Sequence, residues 1–427
     1  MLEKKLHFNY KDIFLAPRIG LSPKKIWIFI LGNLTGYIGY WVLSFLAMIV
    51  SNVNIIEALY DFGLYPYLAG NDYTTFSWII FYFGILFWLY CLLISSTAIS
   101  SLTIRQLRGE HFHSINEAID DALKKWKTIL FSPITFAAIL LSLFLIGSFF
   151  ALIGRIPYIG SILLAITYPL YFFGAIFLLF TFLVFLSSFL MLPSLVGVYN
   201  EDTVGSVFQS YQILYNQPWR LIFYNLLLLP LIVISLNIIS WFYETSFAMI
   251  NFIFAKLIGS TFSNVLSYAT SILNIDFILD NISVLQNFTF QLKTISLDII
   301  RFFVFLFNET TNLLVSTLPD LTYNSDGGYI TSIETVSGLI ISIILIFIYI
   351  SFISYGFSIL AVGETIIFII FKKLIENEDL IIHDSSNNSI DDDSNNSSID
   401  ESSAKVLGLS IEELLESSSS IELFDLL

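Results

Sequence analysis

The chain has 427 residues, of which 56% are hydrophobic and only 12% are charged, with a mean hydropathy of +0.81. Soluble domains carry about 25% charged residues, so a water-soluble globule of this length is excluded and a lipid bilayer is the expected solvent. The net charge is −15, but residues 374–427 hold 14 Asp and Glu against one Lys, so the acidity belongs to a tail, and no basic groove offers itself to nucleic acid.

In chain order, residues 1–25 form a charged N-terminal arm in which the spacing predicts a weak amphipathic helix from His7 to Ala16, stopped by Pro17. The apolar run that follows lacks a small-residue cleavage site and is too long for a cleaved signal, so it reads as a retained anchor. Six apolar stretches follow: Ile26–Val50, Phe76–Ser96, Leu130–Ile153, Ile162–Leu192, Leu221–Tyr243 and a long one near Ile333–Phe371. Each meets the roughly 20 residues that cross about 30 Å of hydrocarbon. The predicted fold is therefore all-α, a polytopic α-helical membrane bundle of about six spans over residues 26–373 with cytoplasmic amphipathic helices.

Six spans place fifteen of the nineteen Lys and Arg on the N-terminal side, and only Arg155, Lys256, Lys293 and Arg301 on the other. By the positive-inside rule both termini are expected in the cytoplasm and the protein in the plasma (inner) membrane. Between the second and third spans, Ser114 and Glu117 form a capping-box pattern. Ile115, Ala118, Ile119, Ala122, Leu123 and Trp126 continue it as the apolar stripe of a helix over 114–127. A second surface helix is predicted over 203–216, capped by Asp202 or Thr203, with the stripe Val204, Val207, Phe208, Tyr211, Leu214 and Tyr215. Trp27, Trp126 and Trp219, the last beside Arg220, mark the starts of the first, third and fifth spans. That recurrence suggests one unit used three times: surface helix, basic-aromatic anchor, span outward, span back. Any span starting at a basic face favours the same pairing, because indole prefers the interface.

The third copy would carry an extracytoplasmic insertion, 244–328, whose short apolar bursts Phe247–Leu257 and Leu297–Phe307 suit helices lying along the outer face. A hidden helical pair there would make eight spans. Three glycosylation sequons at Asn281, Asn287 and Asn308 fall in this Asn- and Ser-rich segment, where chance accounts for them. The sixth stretch is too long for one crossing, so the expectation is a span to about Gly356 and a helix under the membrane surface to Lys373. Residues 374–427 form an acidic tail whose Ser-, Asn- and Asp-rich part cannot bury a core. Its coda, Val406–Leu427, could meet a protein partner.

Ionisable groups inside spans are costly and usually functional. Glu364 is the main candidate, either as an ion-coupling carboxylate or, on the expected surface helix, as a group facing water. Arg155, in the turn Gly154–Gly160, could hold a headgroup phosphate or stabilise the turn. Glu110, His111 and His113 make the only His-rich spot, too thin for a zinc site. Gly32 and Gly36 form a GxxxG suited to close helix packing. Cys91 is the single cysteine, and no phosphate loop, HExxH or nucleophile elbow occurs, so neither enzymatic activity nor any cofactor is indicated.

The segment Glu201-Asp202-Thr203, with Phe208, Ser210, Tyr211 and Gln217-Pro218-Trp219-Arg220 to Tyr224, resembles part of an uncharacterised prokaryotic polytopic membrane-protein family that has no assigned activity. The resemblance covers about 25 residues and implies layout rather than reaction. The leading expectation is a non-enzymatic scaffold or accessory factor, with a transporter or permease for a neutral or lipid-like substrate as the alternative. A transporter needs a polar cavity near midplane. Asn33, Thr35, Tyr37, Tyr40, Asn225 and Asn237 are the residues that would line one.

Overall fold

The computed structural model describes residues 6–68, 73–110, 114–157, 159–273, 298–323, 330–376 and 380. His111, His113, Asn281, Asn287 and the tail segments 384–403 and 406–427 lie outside them. By contacts the chain divides into Met1–Glu378 and Asp379–Leu427. The first unit is all-helical among the described residues. It begins with a 3-10 turn, Tyr10–Leu15, then α1 (Ala16–Gly20), α2 (Pro23–Val50), α3 (Ile55–Phe62), α4 (Thr75–Leu107), α5 (Ile115–Lys124) and α6 (Trp126–Ile153). It continues through α7 (Ile159–Tyr199), α8 (Thr203–Asn216), α9 (Pro218–Ile258), α10 (Ser260–Leu273), α11 (Asp298–Val315) and α12 (Ser332–Glu376). Six of these, α2, α4, α6, α7, α9 and α12, are long and apolar enough to cross a membrane.

The arm is not a surface helix. Asn9 and Asp12 form a capping box that closes a 3-10 turn, and Pro17 begins α1 instead of ending a helix, because proline in a first turn forfeits no backbone bond. Ile13 and Ala16 are fully buried, and Gly20 lies against the backbone of Ile359 in α12. The hydroxyl of Ser358 donates to the Gly20 carbonyl at 2.8 Å and that of Tyr355 to the Pro17 carbonyl at 3.4 Å. The arm thus forms part of the bundle wall at the end where α2, α6 and α9 start, the basic end.

α2 and α4 pack antiparallel through small residues: a side chain at Gly32 would meet Ser95, one at Gly36 would meet Trp88, and one at Gly84 would meet Leu43. The GxxxG is used inside the chain, which suits close approach without bulky side chains. α5 carries the expected capping box between Ser114 and Glu117, and Ala118 and Ala122 form its buried face. α8 departs from its predicted stripe. Val207 and Leu214 are buried beside Ser206, Ser210 and Ile213, whereas Val204, Phe208 and Tyr215 are exposed. The reason is polar docking: Ser210 donates to Ser188 at 3.2 Å and Tyr211 to Thr181 at 3.0 Å, which turns the serine side of α8 toward α7.

Two further expectations are corrected. The fifth stretch does not stop at Tyr243 with a separate helix after it. α9 runs unbroken for about 60 Å to Gly259, whose φ of +76° ends it. Glu244 is no break point because it accepts from Ser240 and from the Asp320 amide. α10 then packs on α12, where Leu273, Leu321 and Leu345 share a core and Gly338 abuts Tyr268, so this part of the insertion is tied to the bundle. The sixth stretch is one continuous helix of 45 residues, and its C-terminal part is central rather than superficial: Ile366–Phe371 are fully buried. α12 is surrounded there by the arm, α2, α4, α7, α8 and α9.

Candidate functional site

α9 packs antiparallel to α12 through Tyr224 on Phe371, Leu228 on Gly363, Leu236 on Gly356 and Tyr243 on Phe352. α7 runs parallel to α12, tied by Ser194 to Thr365 at 3.3 Å and by the Lys372 ammonium 3.9 Å from the Tyr199 ring centre. α4 closes the same layer, since the Thr365 hydroxyl lies 2.9 Å from Ser100. A methyl group on Gly197 would sit 2.6 Å from the Thr97 carbonyl, so glycine sets the approach of α7 to α4.

This layer is rich in hydroxyls. Ser95, Thr97, Ser100, Ser101 and Thr103 of α4 are all buried, and each bonds a carbonyl three or four residues back on its own helix. A hydroxyl has one proton, so these side chains have spent their donors and present oxygen lone pairs to the interior. Glu364 lies in the same layer. It is 2% exposed and neither carboxyl oxygen has a hydrogen-bond partner among the described residues. The expectation that it faces water is thereby corrected. On a central helix walled on every side, no rotamer reaches the surface.

Lys25 and Lys372 are also 2% exposed, and the Lys25 ammonium has no hydrogen-bond partner among the described residues. Lys125, outside the long helices, is better served. Its ammonium donates to the Val196 carbonyl at 3.0 Å and to the Asn200 side chain. It thus satisfies one of the last carbonyls of α7 where that helix's dipole is negative. Burial pushes its pKa down, opposed by Asp121. Beside it, Arg105 bonds Asp121 at 3.1 Å, joining α4 to α5.

The other candidates do not gather around Glu364. Arg155 is exposed in the turn between α6 and α7, at the end opposite the basic one. Trp27 and Trp126 are each 43% exposed and Trp219 is 81% exposed, all at the starts of long helices, and Arg220 bonds Gln217 at 3.1 Å. Sequence reasoning missed the burial of Lys25 and of Ser206, a hydroxyl of α8 with no hydrogen-bond partner among the described residues. It also passed over the six hydroxyl residues among Ser95–Thr103, a density that signals close helix packing.

The residues that would line a transport cavity are engaged elsewhere. Asn33 donates to Ser354 and accepts from Trp88 in the core. Tyr37 and Tyr40 bond the carbonyls of Leu64 and Pro66. Thr35, Asn225 and Asn237 bond their own helices four residues back. The architecture is that of a multi-pass α-helical membrane protein with a packed interior. No known protein family, curated protein or solved structure matches the chain.

Proposed function

We propose that the protein is a non-enzymatic scaffold or accessory factor of the plasma membrane, with both termini in the cytoplasm. The observation that carries this reading is the fate of the six polar side chains just described: all are satisfied within the core, in loop contacts or on their own helices. A permease for a neutral solute needs such groups free to exchange partners. The orientation is supported by Arg18, Lys24, Lys124, Lys127 and Arg220, exposed at the basic end. The acidic tail leaves from that end and is the segment through which a protein partner would be met.

A reporter fused after Lys373 is expected on the cytoplasmic side, and a signal from the opposite side would overturn the orientation. For the scaffold role, a photo-crosslinker placed at Leu414 or Leu415 in native membranes is expected to yield one adduct of defined mass. Substitution of the pair by serine should abolish it. Solute uptake into proteoliposomes above the protein-free control, lost on Asn225→Leu or Asn237→Leu, would instead establish the transporter.

A further inference from the structure

α6 and α7 form an antiparallel hairpin whose register is set by two ring pairs, Phe136 on Phe185 at 6.0 Å and Phe150 on Tyr171 at 6.1 Å. Along one side of that seam Ala137, Leu140, Phe144, Gly147 and Ala151 recur every three or four residues, the spacing of a single helix face. Between this line and Leu178, Phe182 and Phe185 of α7 lies a crevice of about 410 Å³ lined by apolar side chains alone. Its volume is in the range of sites that hold small ligands. Toward the tip of the hairpin the register sets Gly147 level with Gly174 and Ala175, and nothing lies within 4 Å of a Cβ placed on Gly147. The line from Ala137 to Ala151 is thus an open groove of about 21 Å.

Residues 128–200 contain a single charged side chain, Arg155, which stands exposed in the turn that closes the hairpin. The hairpin offers it no carboxylate, and it takes part in no ion pair among the described residues. An apolar groove leading to a lone cation has the two-part chemistry of a phospholipid. Gly147 lies about 12 Å of helix below Arg155. One leaflet contributes half of about 30 Å of hydrocarbon, so a chain whose phosphate meets Arg155 reaches past Gly147 to the crevice. A second copy of the protein fits less well. It would share the orientation of the first and bring its own Arg155 to the same depth, where like charges repel. Ser142 and Ser148, the hydroxyls of outer α6, spend their protons on their own helix at 2.8 and 2.9 Å and have none to donate across an interface.

We propose that this groove is a binding site for one acyl chain of an anionic phospholipid, with the headgroup phosphate held by Arg155. A flexible chain can follow a crevice bounded by Leu140, Phe144 and Phe182, and Gly147 keeps the way from the headgroup open. Arg155 supplies the preference for a lipid with net negative charge, since a zwitterionic headgroup carries its own cation. A lipid held in this way would brace α6, which has no buried residue after Phe136.

The test uses the full chain in phosphatidylcholine vesicles doped with a phosphatidylglycerol that carries a diazirine in mid-chain. After irradiation, adducts are expected to concentrate on residues 137–151 and 175–185 over the equally apolar Ile234–Phe242 face of α9. Gly147→Leu fills the groove without meeting a neighbour and should lower the α6–α7 adducts about fivefold while leaving those on α9 unchanged. Arg155→Gln should lower phosphatidylglycerol adducts there by about as much, as expected for loss of one cation near the headgroups. It should not change those from a phosphatidylcholine with the same diazirine chain. Because Arg155 is exposed, this second variant decides the matter even if the first fails to fold. Adducts spread evenly over α6, α7 and α9 would show bulk lipid only and overturn the proposal. So would equal labelling by the two probes in the parent chain, or an Arg155→Gln variant labelled like the parent. None of these outcomes depends on whether the protein serves as a scaffold.

Discussion

A side chain at position 197 has no room. The nearest atoms to an added methyl are the Thr97 carbonyl at 2.6 Å, the Ser100 Cβ at 2.9 Å and the Ser101 amide nitrogen at 3.3 Å, two of them backbone. Gly197→Ala must therefore push α7 from α4 and should cost about 1–3 kcal/mol. Gly363 makes a useful control, because its nearest neighbour is the end of the Leu228 side chain, which can rotate away. Thermal unfolding in detergent should show the larger drop for Gly197→Ala, and equal drops would mean that the α4–α7 contact is not rigid. At this scale the sequence was legible where the signal is local. The capping box of Ser114 and Glu117 needs only a three-residue spacing, and it forms as read. Glu364 could be picked out as an ionisable group in an apolar run, but its burial depends on other elements of the bundle closing around it. Lys25 was read as a topological charge beside Lys24 for the same reason: two adjacent lysines look alike in sequence, and packing separates them into one exposed and one buried.

Elements were legible as far as their boundaries are set by caps and breakers. α2, α4, α5, α8 and α9 each begin near the expected residue, because proline, serine, threonine or aspartate marks those starts. Their ends were harder. α9 passes through Glu244, a charged residue that would be costly in a lone helix in lipid, since Ser240 of the same helix and the Asp320 amide supply partners for it. The arm is the clearest case of tertiary override, a 3-10 turn and five helical residues held by α12. Gly20 is its contact point, with an added Cβ placed 3.1 Å from both the Ile359 nitrogen and Cα. Gly20→Val should lift the arm from α12, lower stability by about 2 kcal/mol and expose Arg18 to trypsin at rates well above the parent chain. Unchanged cleavage at Arg18 would show that the arm is anchored by other contacts, such as Ile13.

The whole molecule combines two regimes. The long helices show broad apolar surfaces, as Leu141, Phe144, Phe149, Phe172 and Phe173 do on α6 and α7, and only a lipid-like solvent tolerates that much exposed hydrophobic area. Cohesion comes instead from small-residue contacts, hydroxyls and the fully buried half of α12, all within Met1–Glu378. The chain beyond that unit carries most of the acidic excess, with 12 of the 14 Asp and Glu of the tail lying at positions 379–427. If folding is confined to the first unit, removing residues 379–427 takes away charge without taking away packing. The truncated protein should unfold in detergent within about 2 °C of the full chain, a shift that corresponds to about 2 kcal/mol in a protein of this size. Its midpoint should also depend less on ionic strength, because the repulsion among tail carboxylates is gone. A larger loss of stability would mean that the tail packs on the bundle, and the division of labour between a membrane core and an acidic partner-facing segment would have to be abandoned.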